Sequence, residues 1–330
     1  MNYPESQAIK QKINSSNKIL VNMHHNPDAD SVGSAVAVAR VLKHFGKEAK
    51  IVCPTAVPKN LQFLLEGENY EVVDFSKFDT REYDLFITCD SSGWSRVAGG
   101  HDISKPEMFF INIDHHISNQ KFGDINLVVS DAAANCEVLF YLFTDWEVGL
   151  ENVAESLLAG IIGDTGAFRF PEADERTFEA ATELMKYAVK NKIIFNLYQS
   201  FEESHIQIWK EIMNNLEVDS EHKFVYSFVR KEILEKYGKP FNAKSELADM
   251  IFQSIEGTDF GMVGAEDTGY ISVSFRSRTG VDVSKLASAL GGGGHEWASA
   301  ARIDILDSDY GKTVEYIIKE TREFTKKLQD

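Results

Sequence analysis

Apolar residues in the first half of the chain come in short unbroken runs rather than in alternation. "KILVNMHH" (18–25), "EAKIVCP" (48–54), "YDLFITCD" (83–90) and "MFFINIDHH" (108–116) each carry three or more consecutive apolar positions flanked by polar text. Runs of this length suit strands buried on both faces, as in a parallel sheet with helices above and below. Helical periodicity fills much of the intervening text: "SVGSAVAVARVLKHFG" closed by Gly46, then "PKNLQFLLEG", "CEVLFYLFTDW", "NVAESLLAGIIGDTG" and "DERTFEAATELMKYAVK". Three of the strands end in acids or imidazoles. In an open parallel sheet, strand ends of one sense lie along one edge, where ligands bind. The pattern therefore predicts that these polar clusters share one sheet edge.

From about 191 to 217 the text becomes amphipathic and charged, and is expected to connect two domains. After it, "KFVYSFVRKEI", "FGMVGAED" and "YISVSFRSR" read as antiparallel strands, with helices at "AKSELADMIFQSIEG", "DVSKLASALG" and "TVEYIIKETREFTKKLQ". The expected organisation is α/β: a doubly wound, mainly parallel sheet over 1–190, a helical linker over 191–217, and a smaller α+β domain with a mixed sheet over 218–330. The site is expected in the cleft between the two domains.

Composition narrows the function. The 330 residues are 43% hydrophobic and 26% charged, as in a soluble globular protein. The balance of 34 basic against 51 acidic side chains gives −17, which excludes a broad electrostatic grip on long nucleic acid. A small anionic substrate stays open, because bound cations can reverse a local potential. The first residues lack the apolar core of a signal peptide, and no apolar run is long enough to span a bilayer. Three cysteines without paired spacing (Cys53, Cys89, Cys136) point to buried free thiols in a reducing cytoplasm.

The candidate chemistry lies in four stretches: "HHNPDADSVGSA" (24–35), Asp90 after "FITC", "IDHHIS" (113–118) and "GIIGDTGAF" (160–168). Singly, each has a bland reading: Asp30 as a helix N-cap, the His115–His116 pair as a turn, Asp164 as a turn after a helix. Together they offer more carboxylate and imidazole ligands than one ion uses, which suits two divalent cations of the Mn²⁺, Fe²⁺, Co²⁺ or Zn²⁺ kind.

"HHNPDADSVGSA", "CDSSGWSR", "IDHHISNQKFGD" and "GIIGDTGAFRF" resemble, in order and spacing, the four motifs of the DHH phosphoesterase superfamily. The resemblance implies a pair of cations, Mn²⁺ first, with Mg²⁺, Co²⁺ or Fe²⁺ as alternatives. His24 and Asp28 would hold one ion, and Asp30, His115 and Asp164 the other, with Asp90 bridging. Asp114 is expected to orient His115, His116 to face the substrate phosphate, and Asn26 to help place substrate or water; His25 is expected to pack or meet solvent. Farther on, "SFRSR" and "ALGGGGHEWASA" resemble the C-terminal domain that accompanies these enzymes, with Ala300 where the family usually has Gly. Arg276, Gly291, Gly292, Gly293, Gly294 and His295 are implied as substrate-binding, and Arg278 is either a second anion contact or a solvated surface residue.

Within that superfamily the length and acidity resemble the compact enzymes that degrade very short RNA and remove the 3′-phosphate of pAp. The expected function is metal-assisted hydrolysis of short oligoribonucleotides or pAp-type nucleotides, by a monomer or homodimer that binds neither long nucleic acid nor membrane. An inorganic pyrophosphatase or exopolyphosphatase, a RecJ-like exonuclease and a non-catalytic nucleotide binder remain as alternatives.

Overall fold

The computed structural model describes residues 3–100, 102–238 and 243–329, so the domain limits expected at 1 and 330 fall outside the described residues. The chain forms two compact units, Met1–Ser200 and Phe201–Asp330. The division falls within the stretch expected to connect domains.

In the first unit the strands are β1 (Lys18–Asn22), β2 (Glu48–Cys53), β3 (Tyr70–Val72), β4 (Leu85–Cys89), β5 (Phe110–Asp114) and β6 (Ile125–Val128). They form one sheet in the order β3-β2-β1-β4-β5-β6, parallel throughout. The helices are α1 (Ser6–Ser15), α2 (Ala29–His44), α3 (Trp94–Ala98), α4 (Asn135–Asp145), α5 (Ala154–Asp164), α6 (Glu175–Leu184) and α7 (Lys190–Tyr198). Strand order reverses between β1 and β4, which makes their carboxyl ends the topological switch point.

Both faces of this sheet are buried, which accounts for the unbroken apolar runs. Ile19, Val21, Ile87 and Ile111 share a core with α2, α4 and α5. Leu20, Phe86 and Phe110 point the other way, into a cluster with Phe75 and Trp94. The short β3 and β6, not read from the sequence pattern, lie at the sheet edges. The expected helix at "PKNLQFLLEG" is a 3-10 turn, Lys59–Leu65.

The second unit contains α8 (Glu203–Asn214), β7 (Glu217–Asp219), β8 (Phe224–Val229), α9 (Lys231–Lys236), α10 (Ala243–Met250), β9 (Phe260–Glu266), β10 (Tyr270–Ser277), α11 (Val283–Ala289), β11 (Gly293–Gly294), β12 (Ala298–Asp304) and α12 (Tyr310–Gln329). Its sheet runs β11-β12-β10-β9-β8-β7. The strands read as antiparallel are so except for one pair: β8 runs parallel to β9. One face packs on α11 and α12 through Leu286 and Ile317, the other on α8 and α10 through Ile208 and Leu247.

The glycine-rich stretch is less a free loop than its composition suggests. Gly293 and Gly294 pair with Ala300 and Ser299 as a short strand. A Cβ on Gly292 would lie 2.1 Å from the Ala300 carbonyl, so only glycine permits that approach. Ala300 itself stands in ordinary strand backbone with its methyl exposed, so the departure from glycine is accommodated.

Candidate metal centre

Chain segments that end on one sheet edge bring the clustered acids and imidazoles together. His24 follows β1, Asp90 follows β4, and Asp114 closes β5 with His115 and His116 beyond it. Asp164 arrives differently, as the last residue of α5. Three groups have ligand atoms within 4.8 Å of one another: His24, Asp28 and Asp90; Asp30, His115 and Asp164; and Asp90, His115 and His116.

Asp90 stands at the centre. Its Oδ2 is 3.3 Å from His24 Nε2 and its Oδ1 is 3.6 Å from His115 Nε2. It adopts left-handed backbone (φ 51°), the turn by which the chain leaves β4 with this carboxylate inward. Asp28 Oδ2 is 3.4 Å from His24 Nε2, and Asp164 Oδ2 is 3.3 Å from His115 Nε2, with Asp30 Oδ2 at 4.0 Å. Two atoms each about 2.1 Å from a shared ion lie roughly 3.0–3.4 Å apart at octahedral or tetrahedral angles, so much of this spacing is that of co-ligands.

Local contacts fix the imidazole tautomers. His24 Nδ1 donates to the His25 carbonyl (3.0 Å) and His115 Nδ1 to the Ala132 carbonyl (3.1 Å). A carbonyl only accepts, so in the neutral ring each Nε2 lone pair faces the carboxylates. Asp114, expected to orient His115, instead accepts from His116 Nδ1 at 2.7 Å, while Asn119 donates to its other oxygen at 2.6 Å. Its position at the end of β5 aims it at the second histidine, and a backbone carbonyl serves the first.

The N-cap of α2 is Asp28, whose Oδ1 accepts from Ser31 N (3.0 Å), and not Asp30. Asp30 sits within the first turn of α2, buried, and accepts from the first amides of α4, Asn135 N at 2.6 Å and Cys136 N at 2.9 Å. Helix α5 passes so close that a Cβ on Gly160 would lie 2.6 Å from Asp30 Oδ1. The glycine in "AGIIGD" leaves the space this carboxylate occupies.

Crowding sets the electrostatics. Burial, reinforced by Asp90, lifts Asp30 to about 7, and burial lifts Asp164 well above the usual carboxylate range. Asp90 goes the other way: hydrogen bonds from His115 and His24 overcome its burial and hold it ionised. For His24, burial opposes the charged ring, yet Asp28 and Asp90 outweigh it and raise the imidazole to about 9. His115 and His116 are raised likewise against their burial, by Asp90 and Asp114 respectively. Carboxylates lifted by burial and mutual repulsion are what a cation relieves, and the mixed nitrogen and oxygen donor set fits a divalent transition metal.

Asn26, also singled out, is exposed in left-handed backbone, with its amide donating to Thr55 Oγ1 (2.8 Å). Arg96 was missed. Its guanidinium reaches within 3.2 Å of His24 Nε2 from α3, and the arginine closing "CDSSGWSR" was the available signal.

In the second unit Arg276 does not stand free as an anion receptor. Its Nε and Nη2 donate to Asp249, the latter at 3.3 Å, and Nη1 donates to the Phe275 carbonyl. Lys244, also missed, donates to Ser272 O and Oγ at 3.0 and 2.7 Å. Gly291 to Gly294 and His295 are exposed. Arg278 donates to the Thr258 carbonyl at 3.0 Å.

Residues 18–161 match the DHH family, N-terminal domain, and residues 221–326 match the DHHA1 domain. The chain belongs to the DHH family and is a phosphoesterase. It is similar to two proteins named bifunctional oligoribonuclease and PAP phosphatase NrnA. The Bacillus subtilis one is 29% identical over 86% of this chain and 89% of its own length; the Thermus thermophilus one is 30% identical over 92% and 89%. Among solved structures, an exopolyphosphatase-related protein from Bacteroides fragilis superposes with a TM-score of 0.87 at 20% identity, over 99% of this chain and 98% of that one. That likeness shows a shared fold.

Proposed function

We propose that this DHH phosphoesterase hydrolyses short oligoribonucleotides to mononucleotides and removes the 3′-phosphate of pAp, using two divalent cations with Mn²⁺ preferred. The observation that carries the reading is Asp90, with one oxygen toward the His24–Asp28 group and the other toward the His115–Asp164 group. His24, Asp28 and Asp90 would hold one cation, and Asp30, Asp90, His115 and Asp164 would hold the other. When bound, such cations supply Lewis-acid charge and a water acidic enough to act as nucleophile near neutral pH.

The chain's own groups do the rest. Asp114 fixes His116 and favours its charged form, so that the imidazolium meets the negative charge of the phosphoryl group. Arg96 adds a fixed cation beside His24. In the second unit the exposed Gly291–Gly294 stretch and His295 are the proposed substrate contacts, while the Arg276 guanidinium is held by Asp249. Similarity to the NrnA proteins over nearly their full length favours nucleotide substrates over inorganic ones. The three cysteines are buried free thiols, and among the described residues no helix is long and apolar enough to cross a membrane; both fit a cytoplasmic enzyme.

The deciding experiment compares hydrolysis of pAp, pApA, a short RNA and pyrophosphate by the Mn²⁺-loaded protein. Nucleotide cleavage with pyrophosphate untouched is expected. Turnover of pyrophosphate alone would overturn the substrate assignment.

A further inference from the structure

A cavity within the first unit is lined in part by the residue that directly follows His24. Its volume is about 430 Å³, and His25, Pro54, Val73, Asp74, Phe75 and Gly99 help to line it. Two pieces of backbone connect it to the cage. His25 follows His24 directly, and its amide donates to the Arg96 carbonyl at 3.0 Å. Arg96 in turn reaches His24 with its guanidinium, and two residues later α3 ends in Ala98 and Gly99 against the cavity. The space lies just beyond the carboxyl ends of β1, β2 and β3, on the same sheet edge as the cage.

We propose that this cavity receives a nucleobase, that of a nucleoside joined to the phosphate held at the cage. The proposal rests on the nucleotide reading given above and identifies what recognises the uncharged part of the substrate. Charge decides the class of occupant. Among the described lining residues there is no lysine or arginine, and the one carboxylate, Asp74, is paired with Lys77 at 2.7 Å. A second phosphate entering here would meet no lining cation, and the Lys77 ammonium beside the cavity is already matched to Asp74. A flat, uncharged ring finds apolar walls in Pro54, Val73 and Phe75, with the His25 imidazole for stacking or for its polar edge.

The wall is rigid. Phe75 is 7% exposed, and its ring is packed by Phe86 and Trp94 with centroids at 6.0 and 5.5 Å. Rigid walls of this kind accept a planar group at little cost in side-chain ordering. They also give the enzyme a way to prefer nucleotides over pyrophosphate or polyphosphate, whose chains carry charge at every unit.

Val72, at the rim and 53% exposed, allows the cavity to be filled from the solvent side. The test measures kinetics of the full-length Val72→Trp chain on pApA and on two analogues, each lacking one of the adenines. Loss of one base contact corresponds to about a ten-fold rise in KM for pApA, and a much smaller change is expected for the analogue that lacks the base seated in the cavity. His25→Ala should move KM in the same direction and serves if the tryptophan variant misfolds. If KM for pApA is unchanged in both variants, or changes equally for all three substrates, the base site is overturned while the phosphoesterase reading stands. A parent chain that cleaves pyrophosphate and no nucleotide would overturn the substrate reading and the base site together.

Discussion

The two units solve the problem of gathering functional residues in opposite ways. In the first, every strand points the same way, so segments well separated in the chain deliver His24, Asp90 and His115 to one edge. The mixed sheet of the second unit reverses direction between most neighbours, and its singled-out residues are spread along a strand and its flanks: Arg276 on β10, the glycines at β11, His295 before β12. Charge follows the same division. The first unit gathers acids around a few imidazoles and backbone amides, whereas the second matches Arg276 to Asp249 within the fold. Parallel topology concentrates chemistry, and with it electrostatic strain. The mixed sheet distributes its contacts along separate strands.

The sharpest way to break this contrast is at Asp90. Asp90→Asn should leave no measurable phosphoester turnover and lower the bound metal, because both ligand groups lose their common carboxylate. Metal analysis and an activity assay together check it; full activity with two ions bound would mean that the groups function separately. A smaller effect is expected at Asp114. Asp114→Asn should reduce kcat about 10–100-fold, the usual cost of removing a partner that orients a histidine. It should also shift the pH profile. Asp114 raises the His116 pKa against burial, so its removal lowers that pKa, and the activity lost as pH rises should be lost at lower pH. A pH profile that does not move would deny His116 its charged role.

The smallest effect belongs to the second unit. Burial, with the nearby Arg276 charge, pushes Lys244 down to about 7. From there to about pH 10.4 the unfolded chain holds a proton that the folded chain has released, so stability rises with pH across that window. Lys244→Met removes the cost of burying the ammonium and should raise the unfolding midpoint at pH 7 by about 2–4 °C, lessening toward pH 10. Calorimetry at both pH values checks it; a fall in the midpoint would show that the hydrogen bonds to Ser272 outweigh burial of the charge.

Much of this was legible in the residues. Unbroken apolar runs reported a sheet covered on both faces, because burial on two sides leaves no reason for alternation. Strand-end acids and histidines reported a shared edge, because parallel strands leave no other place for them. Spacing between motifs carried the family. The sequence could not show which carbonyl or carboxylate meets which histidine. His116 rather than His115 takes Asp114, and Asp28 rather than Asp30 caps α2, since side-chain direction at a strand end depends on the turn that follows. Nor could it reveal Arg96 and Lys244 as neighbours of the singled-out residues. The cavity beside His25 is likewise tertiary, because its walls come from β3, α3 and the segments that follow β1 and β2, and no one segment contains its shape. One-dimensional order determined the inventory of ligands and the sheet that presents them; three-dimensional packing decided their pairings, their protonation and the room left beside them.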